Sequence, residues 1–298
     1  MRMTTAVADS FLLTAAAIWG AGFVFQVLGA DHVGPFGFTG LRFTIGTILL
    51  LPLLFVIPWP EEDTKQVQRT TIRGGLIVGI AMAAGALFQQ AGLGFTTASN
   101  GAFITSLYVV FVPLLGLFIG HHLRWPVWTG VALAAVGLGL LGITRQFEVN
   151  PGDGLVLVSA VIWAIQVILV GRYSSRVEAI RFSIIQLGVT GIVSLIFAAF
   201  FGQLEWESIL LAKWSILLGA AFPVAVAFTL QVLAQKRAPP AHAALIMSLE
   251  SVFGMACGII FLSERPELQQ YAGAALMLTG VMLSQLVPRE SAPTAPQG

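Results

Sequence analysis

GAFITSLYVVFVPLLG (residues 101–116) and AALIMSLESVFGMACG (residues 243–258) carry the reading that decides the fold. They line up without a gap, pairing Ser106 with Ser248 and Tyr108 with Glu250. Three further pairs keep nearly the same spacing. AAAIWGAGFVF (15–25) matches SAVIWAIQVIL (159–169), pairing Trp19 with Trp163. The stretch ALFQQAGL around Gln89 lines up with AFTLQVLA around Gln231, 142 residues on. TGVALAAVGLGLL (129–141) matches AGAALMLTGVMLS (272–284), pairing Gly130 with Gly273 and Gly137 with Gly280. The offset runs only from 142 (Tyr108 to Glu250) to 144 (Trp19 to Trp163). Two apolar helices resemble each other easily, but four segments at one offset indicate an internal repeat.

The repeated unit is built for lipid. The chain has 298 residues, 57% hydrophobic and 10% charged, where a soluble domain carries about 25% charge. Such a composition cannot cover a water-facing surface, so the chain is expected to be an all-α integral membrane protein. Ten runs are long enough to cross a bilayer core: about 10–29, 34–58, 74–95, 98–120, 126–143, 154–171, 181–201, 213–234, 240–262 and 268–287. They are continuous rather than alternating, which predicts helices and not barrel strands. The first run exceeds the apolar core of a secretory signal and is read as a retained helix.

Lysine and arginine then orient the spans. With the N-terminus inside, the inner segments carry Arg2, Lys65, Arg69, Arg73, Arg124, Arg172, Arg176, Arg181, Lys236, Arg237 and Arg289. The outer loops carry Arg145, Lys213 and Arg265. Both termini are therefore expected in the cytoplasm, which an even number of spans requires. Residues 1–145 form one five-helix repeat and 146–288 a second, with 289–298 a polar, disordered tail. Five is odd, so the second copy enters the membrane from the other side. Such inverted repeats supply two nearly equivalent arrangements, one open to each face.

Other classes fall away. The basic residues are scattered singly, so no nucleic-acid surface is expected. The single cysteine, Cys257, lies in an apolar run and is read as a small hydrophobe. No P-loop, HExxH or Gly-x-Ser-x-Gly motif occurs, and no cofactor, metal or enzymatic activity is expected. A lipid-modifying enzyme is the alternative from another class. It would need clustered Asp, His or Ser near one interface, where only Glu264 and Glu267 stand together; His121 and His122 are read as solvated loop residues.

The buried-looking polar residues form the candidate site. Glu250, Gly254 and Gly258 share a helical stripe, and glycines on it place the carboxylate toward another helix or a cavity. An acid within a membrane marks an ion or substrate pathway, or is satisfied by its helix neighbours. It can exchange a proton or hold a substrate amine. Arg42 can grip a substrate carboxylate bidentately, pair with Glu250, or snorkel to the headgroups. Positions matched across the repeat tend to surround its axis, where carriers bind cargo. The candidate substrate-binding residues are thus Trp19, Gln26, Arg42, Gln89, Tyr108, Trp163, Gln231 and Glu250. The tryptophans read equally well as packing or interfacial anchors. His242, after Pro239-Pro240, is read as an ordinary interfacial histidine.

Taken together, WGAGFV (19–24), GLRF (40–43), TTASNGAFITSLYVVFVPLL (96–115), LQVLAQKRAPPAHAALIMSLESVF (230–253) and LSER (262–265) resemble the EamA-type transporters of the drug/metabolite transporter superfamily over nearly the whole chain. The resemblance implies a ten-helix carrier of the bacterial inner membrane with a central cavity. It also implies a small metabolite as cargo, often exported, with amino acids among the substrate classes. Nucleotide-sugar and sugar-phosphate carriers share the architecture. Two positions depart from the family pattern: Ser251 stands where a proline often follows the glutamate, and Gly120-His121-His122-Leu123-Arg124 replaces a Gly-Glu-Arg pattern. Substrate, proton coupling and oligomeric state are not fixed by these residues.

Overall fold

Apolar runs with no water to satisfy their backbone must close their hydrogen bonds internally, and the chain does so with helices. The structure, a computed structural model, describes residues 3–59, 64–96, 98–120, 124–143, 149–262 and 265–285. Arg2, His121, His122, Arg145, Glu264 and the expected tail 289–298 lie outside the described residues.

In chain order the helices are α1 Thr5–Val33, α2 Pro35–Leu50, α3 Thr64–Leu93, α4 Ala98–Ser106, α5 Tyr108–Phe118, α6 Trp125–Gly142 and α7 Asp153–Ser174. There follow α8 Ala179–Phe200, α9 Trp206–Leu211, α10 Lys213–Gly219, α11 Phe228–Ala234, α12 Pro240–Met247, α13 Glu250–Leu262 and α14 Leu268–Gln285. A 3₁₀ turn, Leu51–Phe55, extends α2, and a π-helical segment, Ala220–Ala227, joins α10 to α11. Among the described residues nine segments are long and apolar enough to cross a membrane. The run expected at 268–287 is also a helix, α14, but Gln269 and Gln270 dilute its start. Both amides are consumed locally: Gln269 donates to Leu140 O and Ile143 O, and Gln270 to Leu141 O. They satisfy the carbonyls that the last turn of α6 leaves open. The outer surface is apolar, with Phe55, Phe118 and Phe200 at 93%, 89% and 84% exposure, as a lipid-facing surface must be.

Two expected spans are each a pair of helices. The run at 98–120 breaks at Leu107, where Leu107 N donates to Ile104 O and Val110 N to Leu107 O. The run at 240–262 breaks at Ser248–Leu249, where Leu249 N donates to Ile246 O and Ser251 N to Ser248 O. In both places the ladder tightens from i−4 to i−3 for a turn. Pro113, inside α5, withholds the N–H that would have met Val109 O. The breaks fall at the same repeat position, so Tyr108 and Glu250 each open the helix that follows.

The packing of the two halves is reciprocal. α1 lies on α12 and α13, and α7 lies on α4 and α5; α2 packs on α8, and α6 on α14. Glycine permits the closest crossings. A Cβ at Gly130 would sit 2.8 Å from Gly280 O, and one at Gly137 2.5 Å from Gly273 O. Gly20 on α1 meets Gly254 on α13 as closely, with a Cβ only 2.8 Å from Gly254 N. Contacts this short are open only to small residues.

Candidate functional site

Seven segments converge on one cavity: α1, α2, α3, the α4/α5 pair, α7, the π segment with α11, and the α12/α13 pair. All eight sequence-predicted site residues line it: Trp19, Gln26, Arg42, Gln89, Tyr108, Trp163, Gln231 and Glu250. Trp19 and Gln26 are two turns apart on α1 and so share its inner face. The cavity's volume is about 60 Å³, small beside the roughly 300–1,000 Å³ of a ligand pocket.

Two ionisable groups of opposite sign face the cavity without touching each other. Arg42 is 4% exposed; its Nη2 donates to Gln26 Oε1 at 3.0 Å, and its guanidinium lies 5.2 Å from the ring centres of both Phe38 and Phe43. Its Nε has no partner, and it forms no ion pair with Glu250 among the described residues. Arg42 thus neither snorkels nor neutralises the acid. Glu250 is also 4% exposed, and Ser106 Oγ donates to its Oε1 at 3.2 Å. Ser106 is in turn hydrogen-bonded to Ser251, which donates to Ala102 O. Ser251, the departure from the family pattern, therefore ties α13 to α4 through a hydroxyl that proline lacks.

Aromatic rings and amides complete the wall. Phe228 stands between the two repeat-matched tryptophans, with centroids 4.9 Å from Trp19 and 5.7 Å from Trp163. Trp19 Nε1 donates to Pro223 O at 3.0 Å, fastening α1 to the π segment. Gln166 and Gln231 exchange amide hydrogen bonds, Gln89 donates to Thr105 Oγ1, and Gln90 donates to Gln26 O. Two polar atoms of lining residues are left over, Arg42 Nε and Trp163 Nε1, while the Tyr108 hydroxyl interacts with the Glu250 carboxylate. Buried polar atoms are nearly always paired, so these two atoms mark the cavity wall as a place with hydrogen-bonding capacity to spare.

The sequence missed Phe43, Thr105, Pro223, Phe228 and Met247, which also line the cavity; apolar side chains in apolar helices give no signal, and a single threonine there gives little. It also treated His242 as an isolated interfacial residue. The structure places its Nε2 3.1 Å from Asp9 Oδ1 on α1. Glu267, the described member of the acidic pair weighed for a lipid-modifying site, lies near α6 and α14, away from the cavity.

A profile of the EamA-like transporter family matches residues 6–143 and again 150–286. The chain belongs to the EamA-like transporter family. An "Uncharacterized transporter" of Archaeoglobus fulgidus is 32% identical over 94% of this chain and 86% of its own. A "Probable amino-acid metabolite efflux pump" of Salmonella typhimurium is 25% identical over 93% and 94%. A crystal structure superposes with a TM-score of 0.73 at 19% identity, covering 94% of this chain and 97% of that one; this establishes the fold alone. The protein is a multi-pass membrane transporter by family, and the names of its relatives point to transport and not to enzymatic catalysis.

Proposed function

We propose that this EamA-family protein is a secondary transporter that moves small metabolites such as amino acids by alternating access around the central cavity. In this reading ten helices cross the bacterial inner membrane as two inverted five-helix repeats, residues 1–145 and 146–288, with both termini cytoplasmic. The double family match, the reciprocal packing of α1 on α12/α13 and α7 on α4/α5, and the paired helix breaks support it. Discontinuous helices at a repeat interface are a usual setting for cargo sites.

The observation that carries the proposal is the unpaired Arg42 and Glu250 facing one aromatic-walled cavity. Burying two opposite charges apart is costly for a fold and useful for a binding site. Arg42 is assigned the carboxylate of the cargo, through the Nε edge that has no partner. Glu250 is assigned the ammonium, or a proton when the cavity is empty of cargo. Trp19, Trp163 and Phe228 receive the apolar part, and Gln26, Gln89, Tyr108 and Gln231 the remaining polar contacts. A sugar-phosphate cargo fits less well, because Arg42 is the one cation among the described lining residues. Export is the proposed direction, by analogy with the named efflux relative. The test is counterflow of radiolabelled amino acids in proteoliposomes over a substrate panel. Saturable exchange of at least one amino acid is expected; folded, inserted protein that exchanges no small metabolite would refute it.

A further inference from the structure

Two hydrogen-bonded contacts outside the cavity are built on aspartates related by the repeat that relates the cavity walls. On the face where α1 begins, His242 Nε2 meets Asp9 Oδ1 at 3.1 Å. The acceptor is a carboxylate, so the ring nitrogen donates. On the opposite face, where α7 begins, Thr96 Oγ1 donates to Asp153 Oδ1. Asp9 and Asp153 stand 144 apart, the offset of Trp19 and Trp163. Each aspartate is ten residues, about 15 Å, before its tryptophan. Each contact joins the first helix of one half to the start of the broken helix pair of the other: α1 to α12, and α7 to the approach to α4. Asp153 also accepts from Asn150 N and so serves its own helix start as well.

We infer that Asp9–His242 and Asp153–Thr96 are the two gate latches of the carrier, one on each side of the cavity. Both are made in this structure. Opening to one face requires breaking the latch on that face while keeping the other. Each latch acts by positioning helices and does not touch cargo. The inference rests on the alternating-access reading, but its test does not depend on knowing a cargo.

The probe is a small membrane-impermeant thiol reagent, read on Thr105→Cys at the cavity wall in a Cys257→Ser background. Labelling is measured without cargo from each face separately, in inside-out and right-side-out vesicles. Asp9→Ala and His242→Ala are expected to raise the labelling rate about five-fold from the face where α1 begins, the population change that one net hydrogen bond of ordinary strength supports. Thr96→Val is expected to do the same from the opposite face only. Size-exclusion profiles in detergent identify any variant that fails to fold, and Asp9→Asn/His242→Gln provides a milder break on the first face. Rates unchanged from the parent, or raised equally from both faces, overturn the latch assignment. One-sided labelling with no metabolite flux in proteoliposomes would leave the latches standing and sink the cargo reading; flux with unresponsive labelling would do the reverse.

Discussion

Arg42→Met separates a binding residue from a structural one, because the two roles predict opposite effects on stability. The substitution keeps an unbranched side chain of similar reach and removes the charge. On the debit side it removes one charge-assisted hydrogen bond to Gln26, about 1.5–3 kcal/mol. It also removes two cation–π contacts, to Phe38 and Phe43, about 0.5–2 kcal/mol each. Against this, the wild-type protein keeps a guanidinium out of water with no carboxylate beside it, at a penalty of several kcal/mol. Methionine ends that penalty and packs against the same rings. The terms cancel to within their spread, so thermal unfolding in detergent should shift little, and upward if at all. Transport should behave differently. Losing a bidentate carboxylate contact of about 1.5–3 kcal/mol weakens apparent affinity for amino acids about 10- to 150-fold. Proteoliposome uptake measured over a concentration series reads this directly. The decarboxylated amine of the same cargo, lacking the group Arg42 holds, should lose little. A large drop in melting temperature with unchanged affinity would refute the reasoning and return Arg42 to the scaffold.

The remaining expectations are narrower. Glu250→Gln should insert and fold normally but reduce transport and flatten its pH dependence; an unchanged flux and pH profile would make the acid structural. Gly137→Leu should lower the melting temperature, since a Cβ alone already meets Gly273 O at 2.5 Å, and overpacking costs about 1–3 kcal/mol. Burial lowers the Lys236 ammonium from its ordinary 10.5, against the opposing pull of Glu178. The unfolded chain then holds that proton more tightly, so stability gained through this group is complete above 10.5 and is lost as pH falls through the lowered value. Lys236→Met should flatten that alkaline rise in a melting series. A reporter tag on the C-terminus should be reached by protease from the same face as one on the N-terminus, and a tag reached from the opposite face would break the ten-span topology.

Much of the site could be read before any coordinates because the repeat filters the sequence. Trp19 and Trp163, Gln89 and Gln231, and Tyr108 and Glu250 stand out as matched polar or aromatic positions, and matched positions of an inverted repeat converge near its axis. Arg42 has no such partner and stands out as a charge in an apolar helix, and Gln26 follows Trp19 by seven residues and so shares its face. Other features left no trace. The breaks at Leu107 and Ser248–Leu249 occur in unremarkable apolar sequence, and only Pro113 hints at one of them. Phe228, which bridges the two tryptophans, is one phenylalanine among 21. His242 looked isolated because its partner Asp9 is 233 residues away in sequence. The repeat offset did link Asp9 to Asp153, but that signal becomes meaningful only once the helices on which each aspartate rests are known. Ser251 read as a missing proline; in three dimensions it is an added hydroxyl that joins Ser106 and Ala102 behind Glu250.

The central claim is that cargo binds between the two halves, at the cavity lined by Trp19, Trp163 and Glu250. An experimental structure of the purified protein with a transported amino acid at saturating concentration tests it most directly. The account predicts an enlarged cavity with density between Trp19, Trp163 and Glu250, its carboxylate end toward Arg42. Cargo density on the lipid-facing surface, or a saturated protein whose cavity stays shut and empty, would contradict it.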